Sequence, residues 1–538
     1  MNFKVKKVLC ISTMFLATFA ITSCGLIMQA VDTIANDITD IAYEVKNDNV
    51  TPNQPLDFNK IENETVTARF DYDYVSYNGN NCPTTPNIGD VNILVIPVEL
   101  SDEFGMLDTT PHFTPKKLAS IKASFNGTKE DDSNNYRESV KSFYEKSSYG
   151  NLHLNFDVLD VYKSSMSKSE FEHLIDDNGT EVTTLLDEIY ANKNSLKLDG
   201  SFVDITDSNR YDANYDGYID GVWLIYNVFD SNEVTSSKYW AYTANYFGDL
   251  YNNPDVSSIV FGKYANFAYA FLNAGNSEGL DAHTAIHETG HMFGLDDYYS
   301  YDLDADKFGQ MGGVDMMDNN VGDQSAFSKF SLGWVNPTVV YKDCEITLRP
   351  FESSGDCVIL PANYFNDSAF SEYLIIEYYT PTGLNKLDSS YQYRGSYPRV
   401  FTEKGILIYH VDARIGEFTV KNNNLTFKNF ISKDTSTISI PTTSHPYYSI
   451  VTNSNTPSFN YVNETFSLVQ MMSSNGRQIY GSSTCAKNSD LFKAGDVFNK
   501  SKAKRYFAND SFNDGTALCY TVNVESLTTG EATIRITR

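Results

Sequence analysis

The chain is poor in histidine, tryptophan and positive charge. Only 3 of its 538 residues are Trp and only 8 are His. Lys and Arg number 41 against 69 Asp and Glu, for a formal charge of −28. Such a surface repels phosphate backbones, and no basic cluster offsets it, so nucleic acid is excluded as a partner. No CxxC spacing occurs, which argues against a cysteine-built zinc site. The apolar stretch at the N-terminus, residues 8–21, falls short of the roughly 20 residues that cross a bilayer. What is present is enough for real cores: 41% of residues are hydrophobic, with 37 Tyr and 34 Phe. Short runs rich in Tyr, Thr, Asn and Gly point to a large β content. The length suggests two or three domains.

The N-terminus reads as a targeting segment. Lys4, Lys6 and Lys7 precede the apolar stretch, which ends in Ile21, Thr22, Ser23 and Cys24. That ending resembles a bacterial lipobox. By the resemblance, residues 1–23 are a signal peptide, and Cys24 carries lipid that holds the protein to the outer, extracellular face of a bacterial membrane. A plain secretory signal with an incidental cysteine is the alternative. Residues 24–88 have poor periodicity and read as a tether or a propeptide. Beyond the leader and Cys24, five cysteines remain: Cys82, Cys344, Cys357, Cys485 and Cys519. An odd number in an exported chain leaves at least one thiol free; Cys344 could pair with Cys357, and Cys485 with Cys519. Cys82 precedes the first ordered region and could cap a metal, but no basic residue stands beside it, and a free thiol is the plainer reading.

Ordered structure is expected from residue 89. Residues 91–98 form an apolar, β-branched run typical of a buried strand. A helix is expected over 139–146, with Val140, Phe143 and Tyr144 on one face. A strand follows over 152–161, then a helix over 181–191 with Val182, Leu185, Leu186 and Ile189 at core spacing. Residues 222–226 read as another buried strand, and 282–293 as a central helix. From about residue 338 short alternating segments recur (373–378, 405–409 and 532–537), as in antiparallel, sandwich-like β structure.

On the central helix stands His287-Glu288-Thr289-Gly290-His291. With 3.6 residues per turn, His287 and His291 share one face and can reach one Zn²⁺. Glu288 then lies beside the metal, where a base acting on water is needed. A catalytic zinc usually has three protein ligands. No Glu occurs between Glu288 and Glu345, so a nearby third ligand is another residue type. Gly294 can take the positive φ that ends a helix, and Asp297 follows three residues later; Asp296 is its rival. Downstream, Gly312 and Gly313 precede Asp315, Met316 and Met317. Met317 is the candidate for an apolar floor under the metal, and Met316 for a core residue. His283, one turn before His287, either supports a ligand or sits at the helix start near solvent. The tyrosines nearest in sequence, Tyr298 and Tyr299, are candidates for holding an oxyanion.

A second pattern runs from Asp212 through Asn214, Asp216 and Gly217 to Tyr218 and Asp220. Oxygen side chains at loop positions 1, 3, 5 and 9, a Gly at 6 and the seventh-position Tyr218 match the first part of a calcium loop. Position 12 is Trp223 rather than Glu, which excludes a complete EF-hand; Asp204 or Asp207 could supply the missing carboxylate. A structural Ca²⁺ is expected here, against an ordinary Asn/Asp/Gly turn.

The chain resembles bacterial zinc metallopeptidases of the immune inhibitor A type, which are metzincin-like. The likeness rests on His-Glu-x-x-His-x-x-Gly-x-x-Asp over 287–297 and extends further. Residues 92–99 resemble that family's first core strand. Residues 139–150 resemble a helix and turn, 325–335 the segment after the methionine turn, and 372–377 and 405–412 its downstream β region. Asp296 is a departure, since the family often has Pro there. The resemblance implies an α+β fold: a metzincin-like zinc protease domain over 89–337 and a β-rich, sandwich-like C-terminal region over 338–538. It implies zinc on His287, His291 and Asp297, Glu288 as the base, Met317 in the methionine turn, and protein or peptide substrates. The competing functional reading is a non-catalytic surface adhesin or glycan-binding lipoprotein that keeps the metal site.

Overall fold

The computed structural model describes residues 85–538 except 102–111, 128–137, 177–178, 236–237, 249–257, 274–280, 305, 319, 363–364, 366–368, 391–397, 422–423, 431–446, 453–464 and 508–509, with three short pieces before residue 85. The leader, Cys24 and Cys82 lie outside the described residues. Among the described residues no helix is long and apolar enough to cross a membrane.

In chain order the elements that build the first half are β1 (Gly89–Ser101), α1 (Pro115–Asn126), α2 (Val140–Ser147), β2 (Leu152–Val158), β3 (Tyr162–Ser167), α3 (Thr180–Ala191), β4 (Val222–Tyr226), β5 (Tyr242–Asn245), β6 (Lys263–Ala268), α4 (His283–Met292) and α5 (Ala326–Ser331). The sheet runs β5-β6-β4-β1-β2, with β3 also on β1. Its inner pairs are parallel and the edge strand β5 is antiparallel to β6. Parallel strands covered on both faces read as continuous apolar runs. That accounts for 91–98, where Val91, Ile93, Leu94, Val95, Ile96 and Val98 are fully buried. The strand expected over 152–161 ends at Val158, and β3 starts at Tyr162.

Local chemistry sets the helices. Ser139 caps α2 in a reciprocal capping box with Ser142. The face so oriented buries Val140, Phe143 and Tyr144, and the Tyr144 hydroxyl donates to the Ile286 carbonyl at 2.7 Å, fastening α2 to α4. Thr114 caps α1, where Pro115 takes a first-turn position that needs no N–H.

The second half is rich in β structure: β7 (Cys344–Leu348), β8 (Cys357–Pro361), β9 (Glu372–Tyr379), β10 (Gly405–Asp412), β11 (Val469–Met471), β12 (Thr521–Leu527) and β13 (Ala532–Thr537). Strands β8 to β11 pair antiparallel in sequence order, and β7-β13-β12 form part of a smaller antiparallel sheet. Alternation explains the stacking. Val358, Leu360, Leu374, Ile376, Ile406 and Ile408 face a core shared with Val522, Val524, Ile534 and Ile536 of the smaller sheet. Their neighbours Ile359, Tyr373, Ile375, Leu407 and Tyr409 face the core of the first half. The larger sheet is therefore a middle layer, and all eight residues of β9 are buried. The main core runs without a break from Val91 past residue 338 to Leu491.

Cys344, Cys357, Cys485 and Cys519 form no disulfide with one another. The pairing of Cys344 with Cys357 that the sequence allowed does not form, because they stand in different sheets: Cys344 lies opposite Ile536, and Cys357 opposite Glu377.

Candidate metal centre

Helix α4 is buried at all ten positions. Its first turn has no conventional side-chain cap; instead the Asp281 carboxylate accepts the His283 N–H at 2.9 Å. The other end closes as a Schellman turn: Leu295 N–H donates to the Gly290 carbonyl at 3.1 Å and Gly294 N–H to that of His291 at 2.9 Å. Gly294 has φ +93°, which a side chain would resist. This turn folds the chain back over the helix and delivers Asp297.

The fold brings His287, His291 and Asp297 together. Asp297 Oδ1 lies 2.9 Å from His287 Nε2 and 3.3 Å from His291 Nε2. The two Nε2 atoms are 3.2 Å apart. Each ring's other nitrogen is engaged by the backbone: His287 Nδ1 with the Met316 carbonyl at 3.0 Å, and His291 Nδ1 with the Leu295 carbonyl at 2.7 Å. Such bonds fix the tautomer with both Nε2 lone pairs turned inward, the arrangement a metal requires. Two imidazoles and a carboxylate, all buried, are a donor set that fits Zn²⁺. Burial alone would raise the Asp297 pKa; the adjacent imidazoles of His291 and His287 outweigh it and hold the carboxyl below the usual carboxylate range. Among the described residues no other three His, Cys, Asp or Glu ligand atoms come within 4.8 Å of one another, so Asp296 is not part of the cluster.

Glu288 is fully buried on the same helix. Thr243 on the edge strand β5 donates to it at 3.1 Å from Oε2, and its hydroxyl is 2.9 Å from the Glu288 carbonyl oxygen. Met317 is buried against α4, where Gly290 leaves room for it: a Cβ there would stand 2.5 Å from Met317 Sδ. The turn that carries Met317 is organised by Asp315, a non-glycine residue at φ +93°. Its carboxylate accepts from Met317 N–H at 2.8 Å, Ser325 N–H at 2.6 Å and the Ser328 hydroxyl at 2.7 Å.

The neighbouring aromatic residues fall differently from the sequence expectation. The Tyr298 hydroxyl is bound to Ser328 Oγ at 2.9 Å, and its N–H donates to the Met317 carbonyl, so it braces the methionine turn. The Tyr299 ring lies nearly parallel to that of His287, with centroids 6.3 Å apart. Tyr301 donates its hydroxyl to Asp297 Oδ2. Sequence reasoning missed Tyr301, Thr243 and the bracing by Asp315. No periodicity marks a loop tyrosine, and Thr243 is 45 residues from Glu288 in the chain. His283 is not near solvent: it is buried, and its Nε2 lies 2.9 Å from the Asn320 carbonyl oxygen.

The acidic loop folds onto its own backbone. Asp212 accepts from Asp216 N–H at 2.9 Å and Gly217 N–H at 3.1 Å, Asp216 from Tyr218 N–H at 2.9 Å, and Asp220 from Ala213 N–H at 3.0 Å. Asn214 Nδ2 donates to Asp216 at 3.0 Å. Burial, with Asp216 and Asp212 adding to it, pushes the Asp220 carboxyl up to about 8. Asp204 and Asp207 are turned to their own local N–H groups, of Thr206 and Asn209, and Trp223 is buried in the central strand.

No family model matches the chain, and no curated protein matches it in sequence.

Proposed function

We propose that the protein is a zinc-dependent endopeptidase that cuts protein or peptide chains outside the cell, held to the outer face of a membrane by lipid on Cys24. The observation that carries the reading is the convergence of His287, His291 and Asp297 on one point, with Glu288 buried on the same helix next to His287. The likeness of residues 89–412 to immune inhibitor A-type peptidases points the same way.

His287 Nε2, His291 Nε2 and Asp297 Oδ1 would hold the ion. Zinc bound there supplies Lewis acidity, polarising a carbonyl and making water more acidic. Glu288 takes a proton from the attacking water and passes it to the departing amine. Thr243 aims that carboxylate. The edge strand β5 pairs on one side with β6 and with no other strand among the described residues, which favours an extended peptide lying alongside it. Met317, packed against Gly290 of α4, would be the apolar floor of the site. The 212–220 loop, with Asp212, Asn214, Asp216, Tyr218 and Asp220, would take a structural Ca²⁺, on the spacing of its oxygen side chains around Gly217.

The direct test is cleavage of a mixed fluorogenic peptide library by the chain from Gly25 onward, beside Glu288→Ala and a chelated sample. Cleavage by the parent alone is expected. Zinc bound without cleavage by the parent would favour a binding protein instead.

A further inference from the structure

The two oxygens of Asp297 have different neighbours. Oδ1 faces His287 Nε2 at 2.9 Å and His291 Nε2 at 3.3 Å, whereas Oδ2 accepts the Tyr301 hydroxyl. Asp297 itself is wholly buried, so water does not compete with the phenol for that second oxygen. Tyr301 is held in turn by Tyr299, its ring meeting that ring at 64° with centroids 5.3 Å apart. Tyr299 lies at 24° to the plane of His287. The phenol is thus tied through one aromatic neighbour to a ligand and through its hydroxyl to another.

We propose that Tyr301 is a positioning residue for the metal, occupying Asp297 Oδ2 so that the carboxylate offers the ion Oδ1 alone. The proposal rests on the metal-centre reading above and adds a coordination mode to it. A carboxylate with both oxygens available can clasp a cation through both, raising the coordination number. A phenol on one oxygen prevents this and stops rotation of the group about Cβ–Cγ. Hydrogen bonds of this kind around metal ligands commonly change affinity by about 10- to 100-fold.

The test compares the parent with Tyr301→Phe, both from Gly25 onward and stripped of metal. Phe keeps the ring against Tyr299, and melting of the metal-free proteins checks that the fold is retained. Zinc affinity is measured by competition with a chromophoric chelator, and geometry by the visible spectrum of the cobalt(II) form. In Tyr301→Phe, zinc affinity should fall about 10- to 100-fold. Its cobalt bands should weaken as the freed Oδ2 joins the ion. Unchanged affinity and an unchanged cobalt spectrum would overturn the proposal, and a loss of kcat alone would place the phenol on the reacting carbonyl. A parent that takes up neither metal would overturn the metal-centre reading itself, a result distinct from a difference between the two proteins.

Discussion

Glu377 on β9 accepts the N–H of Ala326, the first residue of α5, at 2.7 Å. The carboxylate thereby satisfies a donor that a helix start leaves open, across the junction between the two halves. The Tyr409 hydroxyl donates to its other oxygen at 3.2 Å. Burial pushes the Glu377 carboxyl up to about 8 from an ordinary 4.5, against the opposing effects of the Ala326 bond and the Lys329 charge.

A pH dependence follows. The folded state retains a proton on Glu377 that the unfolded chain has already released, so this group's contribution is present below about 4.5 and lost as pH rises through about 8. Asp220, also pushed up to about 8, acts in the same direction. Melting temperature should therefore decline across that window, and Glu377→Gln should flatten part of the decline. Parallel curves for parent and variant would refute the assignment.

Glu288→Gln keeps the shape of the side chain and loses the proton carrier. Its kcat should fall by about 10²- to 10⁴-fold with zinc stoichiometry unchanged. Thr243→Val removes only the hydroxyl that aims Glu288, and a lost bond of about 1 kcal/mol corresponds to a kcat about fivefold lower. Steady-state kinetics with metal analysis checks both, and wild-type kcat in Glu288→Gln would remove Glu288 from the chemistry.

Asp315→Ala strips the acceptor from three buried donors. At about 1–3 kcal/mol for each group left unsatisfied, the loss should be at least about 3 kcal/mol. The turn that presents the Met316 carbonyl to His287 should loosen with it, lowering zinc affinity. Denaturant titration of the metal-free protein measures the first effect and chelator competition the second. Stability within about 1 kcal/mol of the parent would contradict the bracing role.

Withdrawal of calcium with a calcium-selective chelator, zinc retained, should lower the melting temperature by several degrees. A cation bound only to the folded loop stabilises by about 2.7 kcal/mol at a hundredfold excess over Kd. An unchanged melting temperature would leave the loop an ordinary Asx-rich turn.

A chain ending at residue 337 should fail to fold. It would expose the Phe330 ring, which meets Tyr373 with centroids 6.0 Å apart, and would remove Glu377 from α5. Soluble, cooperatively melting protein from such a chain would show that the first half needs no partner layer.

Local patterns were readable where a single element carries them. The helix expected over 282–293 is found at His283–Met292, and that over 181–191 at Thr180–Ala191. The run at 91–98 gave a buried strand but not its parallel neighbours, since burial on both faces erases the alternation that would reveal a partner. The spacing that offered Asp297 as third ligand works through a backbone turn at Gly294, and glycine is visible in sequence. The tethers to Thr243, Tyr301 and Glu377 are contacts made by loops and distant strands, and no periodic signal encodes them. The Cys344–Cys357 pair failed because nearness in sequence said nothing about which sheet each strand would join.

The Schellman turn at Gly294 also sets an order of events. Both histidines are aimed by carbonyls that follow them in the chain, Leu295 for His291 and Met316 for His287. The second carbonyl belongs to a turn pinned by Ser325 and Ser328, on a helix whose start depends on Glu377. A nascent chain that has emerged only as far as residue 300 therefore holds the motif and the Leu295 carbonyl that aims His291, but not the Met316 carbonyl that aims His287. Metal capture becomes a late step, reserved for a chain in which Glu377 has already reached the start of α5. Refolding followed by stopped flow should accordingly show zinc uptake trailing the last burial of Trp334; uptake ahead of it would reverse that order.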